Sequence, residues 1–399
     1  MKHRTAAAAV LTLAFLGAAC SNRSLPGGSV RDAGFSEERL DLASVVIKDA
    51  INRKEFPGAV LLVARKGKIV LHEAYGESRW VPDHRPMTKD VIFDLASLTK
   101  PIATAASVMA LVERGRISLW DRVKTYVPAF VPYRDWFGAD GEDARIWHLL
   151  THTSGLPSYT EAEDAAKILG RPCPPAALVD YIAALPKNDP PGEKFVYSCL
   201  GYITLAEIVR KVSGQSIDRF AAENIFEPLG MNRTFYIPDP KIFDQVVPTQ
   251  LVDGQPLLGV VHDPLARLQG GISGNAGLFS TAGDLAIFSQ MLLDGGTYRG
   301  ARVFSRAAVE RMTSVYPRAG FTGRGLGWDL SSVYASNGGD LFGPRSFGHS
   351  GYTGTSLWVD PDTKTIVVFL TNSVHPDDKG KILPLRSRVA NIVAGAILD

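Results

Sequence analysis

The sequence predicts an α/β protein of the α+β kind: one antiparallel sheet built from the N- and C-terminal segments, flanked by helices, with a mainly helical subdomain inserted. Two observations predict it. Each end of the chain supplies a helical pattern and a hairpin pattern, so the simplest assembly pairs the two ends in one sheet. The stretch between them, roughly 95–300, carries apolar residues mostly at helical spacing.

The elements follow in order. Lys2, His3 and Arg4 precede an apolar run from Ala6 to Leu16, then Gly17-Ala18-Ala19 lead to Cys20. A basic start, a short apolar core and small residues before a cysteine read as a secretory signal over 1–19, with Cys20 as the lipidated first mature residue. Leu16 lies one place further from Cys20 than a lipoprotein signal prefers, so plain cleavage nearby stays open. Residues 20–36 read as a flexible tether. Leu40, Leu42, Val45, Val46, Ile47, Ala50 and Ile51 mark a helix over 37–53. Ala59–Ala64 and Lys68–Ala74 form a hairpin around Lys66-Gly67. Ile102, Ala105, Val108, Met109, Leu111 and Val112 predict a helix over 97–114, with Pro101 in its first turn where a missing N–H does least harm. Another helix starts at Ser280-Thr281 and stops at Gly295-Gly296. Thr355–Val359 and Thr365–Thr371 form the second hairpin, and a helix over about 385–398 closes the chain. The folded part is thus a single domain over 37–395, with sheet parts at about 37–94 and 300–399 and the helical subdomain at about 95–300.

Composition narrows the function. The 399 residues are 45% hydrophobic and 21% charged, with a net charge of +2 and no run of Lys and Arg. That excludes a nucleic-acid footprint. Nothing beyond the leader is long and apolar enough to span a membrane, so the membrane enters only through the N-terminal lipid. His148 and His152 have the spacing of a helical metal pair but lack the Glu a zinc protease needs, and read as structural. The glycines at 270–277 lack the strand–turn–helix surroundings of a nucleotide loop. No metal or organic cofactor is called for.

The chemistry gathers at Ser97-Leu98-Thr99-Lys100. A lysine three residues on shares a helical face with the serine and reaches its hydroxyl. Burial makes its neutral form accessible as the base. Next in order come Tyr197-Ser198-Cys199 and then His349-Ser350-Gly351. Together with Trp147-His148-Leu149-Leu150-Thr151-His152-Thr153-Ser154-Gly155-Leu156 and the glycine-rich stretch 270–280, this series resembles the penicillin-recognising serine hydrolases of the class C β-lactamase and D,D-peptidase type.

The resemblance implies a β-lactamase/transpeptidase-like fold and an acyl-enzyme on Ser97, with Lys100 and Tyr197 as its base. The backbone N–H groups of Ser97 and Tyr352 form the oxyanion hole. His349 stands where many members carry lysine, and Gly351 lets a substrate backbone approach its strand. Cys199 takes the place of the usual Asn, which weakens recognition of a substrate amide because a thiol donates and accepts poorly. At His349 a permanent cation gives way to a group that titrates near neutrality, so binding of a substrate carboxylate becomes pH-dependent.

The expected activity is that of an exported, periplasmic, membrane-anchored serine hydrolase acting on a small-molecule or peptide substrate. A D-alanyl-D-alanine carboxypeptidase or endopeptidase comes first, a small-acyl esterase second and a weak β-lactamase third. A non-catalytic peptidoglycan-binding lipoprotein is the rival from another class. In an oxidising compartment Cys173 and Cys199 are expected to pair, with a buried inert thiol or a direct role for Cys199 as the alternatives.

Overall fold

The structure is a computed structural model that describes residues 24–380 and 382–399. The signal segment 1–19 and Cys20 lie outside the described residues.

Helix α1 spans Glu37–Asn52. Ser36 caps it by accepting the Arg39 N–H, and Glu37 and Glu38 sit on the positive end of its dipole. Leu40, Ala43, Ile47 and Ala50 form the stripe it buries. Strands β1 (Gly58–Arg65) and β2 (Lys68–Arg79) follow. Between them Lys66 and Gly67 both have positive φ, at 50° and 79°, as a two-residue turn matched to strand twist requires. Strand β3 is the short Arg85–Pro86, and β4 is Phe93–Asp94.

The sequence predicts one helix from 97 to 114, and the structure divides that stretch. A 3-10 turn over Ala96–Leu98 leads to a π-helical segment over Lys100–Ala105 and then to α2, Ala106–Glu113. Pro101, with no N–H to donate, falls inside the widened segment. The insertion continues through α3 (Cys199–Ser213), β5 (Phe235–Tyr236), β6 (Leu278–Ser280) and α4 (Ala282–Leu293). Thr281 caps α4 by accepting the Asp284 N–H. Strands β7 (Phe347–Ser350), β8 (Ser356–Asp360) and β9 (Thr365–Thr371) and helix α5 (Leu383–Gly395) complete the chain.

The main sheet is antiparallel with the order β7-β8-β9-β1-β2-β3, so β1 from the N-terminal part pairs with β9 from the C-terminal part. All eight residues of β1 are buried. Side chains alternate between faces along a strand, so a fully buried strand must be covered on both. Ala59, Leu61 and Val63 pack under α1 and α5 with Leu40, Ile47 and Val389. Val60, Leu62 and Ala64 join the core of the insertion, together with Leu285 of α4. A second, three-stranded sheet of order β4-β6-β5 joins the approach to Ser97 to the glycine-rich stretch.

The described part of the expected tether, residues 24–36, is packed rather than free. Gly28 N–H donates to Ile69 O at 2.8 Å and Ile69 N–H donates to Pro26 O at 2.9 Å, so this segment lies along β2. Leu25 and Phe35 are buried. Two apolar side chains and an open stretch of strand backbone give the segment a reason to dock that its polar composition hides. Among the described residues no helix is long and apolar enough to cross a membrane.

Candidate active site

The backbone reaches Ser97 through a strained turn. Ala96 has φ +46°, a left-handed conformation that costs a residue with a Cβ about 1 kcal/mol or more. Surrounding bonds hold it there. Asp94 Oδ1 accepts the Ala96 N–H at 2.9 Å, Thr353 Oγ1 donates to Asp94 O at 2.7 Å, and Thr355 Oγ1 donates to Leu95 O at 3.0 Å. One turn on, Lys100 is fully buried, and its Nζ donates to Ser97 Oγ at 2.9 Å and to Asn275 O at 3.0 Å. Burial pushes the ammonium of Lys100 down, Cys199 and Tyr197 beside it push it up, and the net direction is upward. That direction opposes the one expected from burial alone.

Tyr197 precedes α3 and lies against Lys100, whose Nζ is 5.1 Å from the ring centroid. Behind it, His152 stacks on the ring at 4.4 Å and accepts the Ser198 N–H on Nδ1 at 3.0 Å. That bond places the proton of the neutral imidazole on Nε2. Burial first, then Arg324, Lys100 and His349, hold His152 well below its ordinary range, so it is neutral. The Arg324 guanidinium lies 5.9 Å from the Tyr197 ring centroid and pairs with buried Asp329 at 3.3 Å.

Ser97, Tyr197, Cys199 and Tyr352 line one cavity of about 440 Å³. Tyr159, Gln250, His262, Asp263, Ala276 and Asp378 line it too. The His262 and Tyr352 rings stack at 5.5 Å, and the Tyr352 hydroxyl donates to Asp378 Oδ2 at 2.9 Å. Asp263 and Asp378 are the charged residues of this lining, and neither Lys nor Arg is among them. The glycine-rich stretch forms the wall behind Lys100. A Cβ on Gly274 would stand 2.0 Å from Tyr202 O, so only glycine lets this stretch lie against α3 and present Asn275 O to Lys100. Among the described residues no group of three or more His, Cys, Asp or Glu is arranged to hold a metal.

Three expectations are corrected here. Cys173 and Cys199 are both free thiols. Cys199 begins α3 facing Lys100 and Asn275, whereas Cys173 bonds through its backbone to Leu268 O and through its Sγ to Pro174 O. His349 is buried, is outside the cavity lining, and bonds through Nδ1 to Ser350 O at 2.8 Å. Burial, with Arg324 and Lys100 next, holds it well below its ordinary range, so it supplies no cation near neutral pH. At Gly351 a Cβ would meet Thr355 Oγ1 at 2.2 Å and Leu95 O at 2.4 Å. Its smallness serves the contact between this loop and the turn before Ser97, not the approach of a substrate.

The sequence reading missed Asp94, Asn275 and His262, and took His152 as merely structural. Asn275 bonds to Lys100 across 175 positions and Asp94 to His262 across 168, so no local pattern announces them. Strand β4 pairs with β6 and sets Asp94 opposite Phe279.

The Beta-lactamase family profile matches residues 44–391. A protein of Escherichia coli (strain K12) named "Putative D-alanyl-D-alanine carboxypeptidase" is 31% identical over 400 residues, covering 92% of this chain and 91% of its own. The N-acetylmuramyl-L-alanine amidase of Bacillus subtilis (strain 168) is 32% identical over 372 residues, covering 86% of this chain and 83% of its own. The octameric penicillin-binding protein homologue from Pyrococcus abyssi superposes with a TM-score of 0.71 at 27% identity, over 89% of this chain and 77% of that one. A fold with this sheet, this insertion and this serine–lysine pair defines a serine hydrolase. The chain belongs to the beta-lactamase family of penicillin-recognising enzymes.

Proposed function

We propose that the chain is an exported acyl hydrolase that opens an amide or ester in cell-wall stem peptides through an acyl-enzyme on Ser97. One observation carries this: Lys100 Nζ sits 2.9 Å from Ser97 Oγ on the wall of a cavity that Tyr197 also lines. Lys100 and Tyr197, side by side at the serine, act together as the base. Ser97 Oγ attacks the carbonyl carbon while its proton passes to Tyr197, and the oxyanion faces the N–H groups of Ser97 and Tyr352. Tyr197 then protonates the departing amine or alcohol. A water gives its proton to Tyr197 as it attacks the acyl carbon, and Tyr197 returns that proton to Ser97 Oγ as the acid departs. The name of the Escherichia coli relative supports a D,D-peptide substrate, and that of the Bacillus subtilis relative supports an amide. A cavity lined by carboxylates and no Lys or Arg favours an internal bond over one beside a free carboxylate, hence endopeptidase over carboxypeptidase. Cys20, as a lipidated residue after signal cleavage, would anchor the enzyme at its substrate.

Small-acyl esterase activity is the second reading, favoured by the same lining and by Cys199 in place of an amide. Intact-protein mass spectrometry with benzylpenicillin and with p-nitrophenyl acetate, followed by muropeptide digestion, separates the readings. A penicilloyl adduct on Ser97, absent in Ser97→Ala, together with muropeptide cleavage supports the D,D-peptidase. Rapid ester turnover without either would replace it by the esterase. No adduct and no turnover from a folded protein would make the chain a binding module.

A further inference from the structure

Asp94 is a buried carboxylate, 2% exposed, with no ion-pair partner among the described residues, and the acyl-enzyme chemistry does not use it. Its two oxygens are nevertheless fully committed. Oδ1 accepts the N–H of Ala96, the left-handed residue immediately before Ser97, at 2.9 Å. Oδ2 accepts the N–H of His262 at 2.7 Å. His262 is part of the opposite cavity wall and stacks on Tyr352 at 5.5 Å. The backbone carbonyl of Asp94 takes the hydroxyl of Thr353, next to Tyr352, at 2.7 Å. Three parts of the catalytic cavity therefore meet at one residue: the nucleophile's turn, the His262 wall and the loop of the expected oxyanion hole.

We infer that Asp94 is a positioning residue for acylation, its carboxylate fixing Ser97 relative to the His262 and Tyr352 wall. This rests on Ser97 being the nucleophile. Two N–H donors need two acceptor oxygens, and only the ionised carboxylate offers both without a competing proton. An amide at this position would turn an NH₂ towards one of the two N–H groups. A protonated carboxyl would do the same with its O–H. The Asp94 carboxylate holds the left-handed Ala96 through its N–H, so losing that acceptor lets the turn relax and displaces Ser97 from Tyr197 and the oxyanion donors. A displacement of about 1 Å can cost on the order of a hundredfold in rate.

The charged groups that face Asp94 are Asp263 and Arg267, on the cap and body of the short helix after His262. Burial raises the Asp94 carboxyl to about 6, with backbone N–H groups of His262 and Ala96 opposing it, Asp263 adding to the rise and Arg267 opposing it. The consequences for fold and for rate have opposite signs. A carboxyl raised in the fold binds its proton more tightly folded than unfolded, so this group's contribution to stability is full below about 4 and lost as pH rises to about 6. Positioning needs the ionised form, so acylation gains as pH rises through the same window. A purely structural carboxylate would not give a rate that climbs while this contribution to stability falls.

The test is the rate constant for labelling of Ser97 by a fluorophosphonate between pH 4.5 and 8, with melting temperature measured in the same buffers. The wild-type rate should climb through a limb near pH 6. Asp94→Asn should label about 10- to 100-fold more slowly at pH 7.5, lack that limb, and keep the KM for p-nitrophenyl acetate within about twofold while kcat falls. A wild-type profile with no limb near pH 6 overturns the proposal even if the variant does not fold. So does a folded Asp94→Asn that labels like wild type or keeps the limb. Absence of labelling in wild type would instead overturn the assignment of Ser97.

Discussion

At Cys199 a thiol stands where the resemblance leads one to expect an amide, and the structure shows what that thiol meets. It lies on the cavity wall beside Ser97, with Lys100 and Asn275 as its polar neighbours. Burial raises it, and Lys100 opposes that rise, so it is a neutral thiol at physiological pH. A neutral thiol beside the acyl group offers a substrate amide little, and an ester, which needs less recognition, loses less. Cys199→Asn should therefore raise kcat/KM for amide substrates relative to matched esters by about tenfold, the worth of one good hydrogen bond. An unchanged amide-to-ester ratio would mean that the acyl amide does not meet residue 199. The same residue gives a direct check on the cysteines. Alkylation of the unreduced, unfolded protein should add one carbamidomethyl group at each of Cys173 and Cys199, and a protected pair would contradict the two free thiols.

At the scale of elements, α5 does more than cover the sheet. Its Arg386 is buried and donates to Gly351 O at 2.6 Å and to Thr355 O at 3.0 Å, holding both ends of the loop that carries Tyr352. Burial lowers its guanidinium to about 10, still charged at neutral pH. Arg386→Met removes the cation's desolvation penalty and takes one donor from each of two buried carbonyls that keep a backbone donor, Gly354 N–H on Gly351 O and Gly351 N–H on Thr355 O, a cost of about 0.5–1.5 kcal/mol each. A lower melting temperature and a fall in kcat with little change in KM are expected. Thr281→Ala is the control: loss of the α4 cap costs about 1 kcal/mol without touching the loop, so kcat should hold. If both variants lost activity in proportion to stability, the Arg386 effect would be one of folding alone. These elements also mark what was legible in the sequence. Both hairpins and the terminal helices follow from local period, the Ser97–Lys100 pair from its spacing, and Tyr197 from the family resemblance. The roles of Asp94, Asn275 and Arg386 depend on contacts that span 31 to 175 positions, which no window of sequence contains. The direction of the Lys100 shift is hidden in the sequence for a related reason, since burial is visible from an apolar stretch but the neighbours that oppose it are not.

For the molecule as a whole, the decisive fact is that β1 lies between β9 and β2 and is buried on both faces. Its odd and even side chains belong to different cores, Leu61 to the one under α1 and α5 and Leu62 to the one shared with the insertion. The strand is therefore a shared wall, and neither core closes without it. Because β1 pairs with β9 over nearly the whole chain length, the sheet forms only after both ends have met, a non-local step that couples the parts. The sheet and the helical insertion should then unfold together. Leu61→Ala and Leu62→Ala each remove a fully buried side chain and should cost about 2–5 kcal/mol. The prediction is that each variant lowers one common transition, with far-ultraviolet circular dichroism and loss of Ser97 labelling sharing a midpoint. Were the insertion an independent unit, Leu61→Ala would melt the terminal layer at a lower temperature while leaving the dichroism of the helical part in place. Two separated midpoints in that variant would break the argument from the shared strand. A single shifted midpoint in both would tie the stability of the catalytic cavity to the pairing of the chain's two ends.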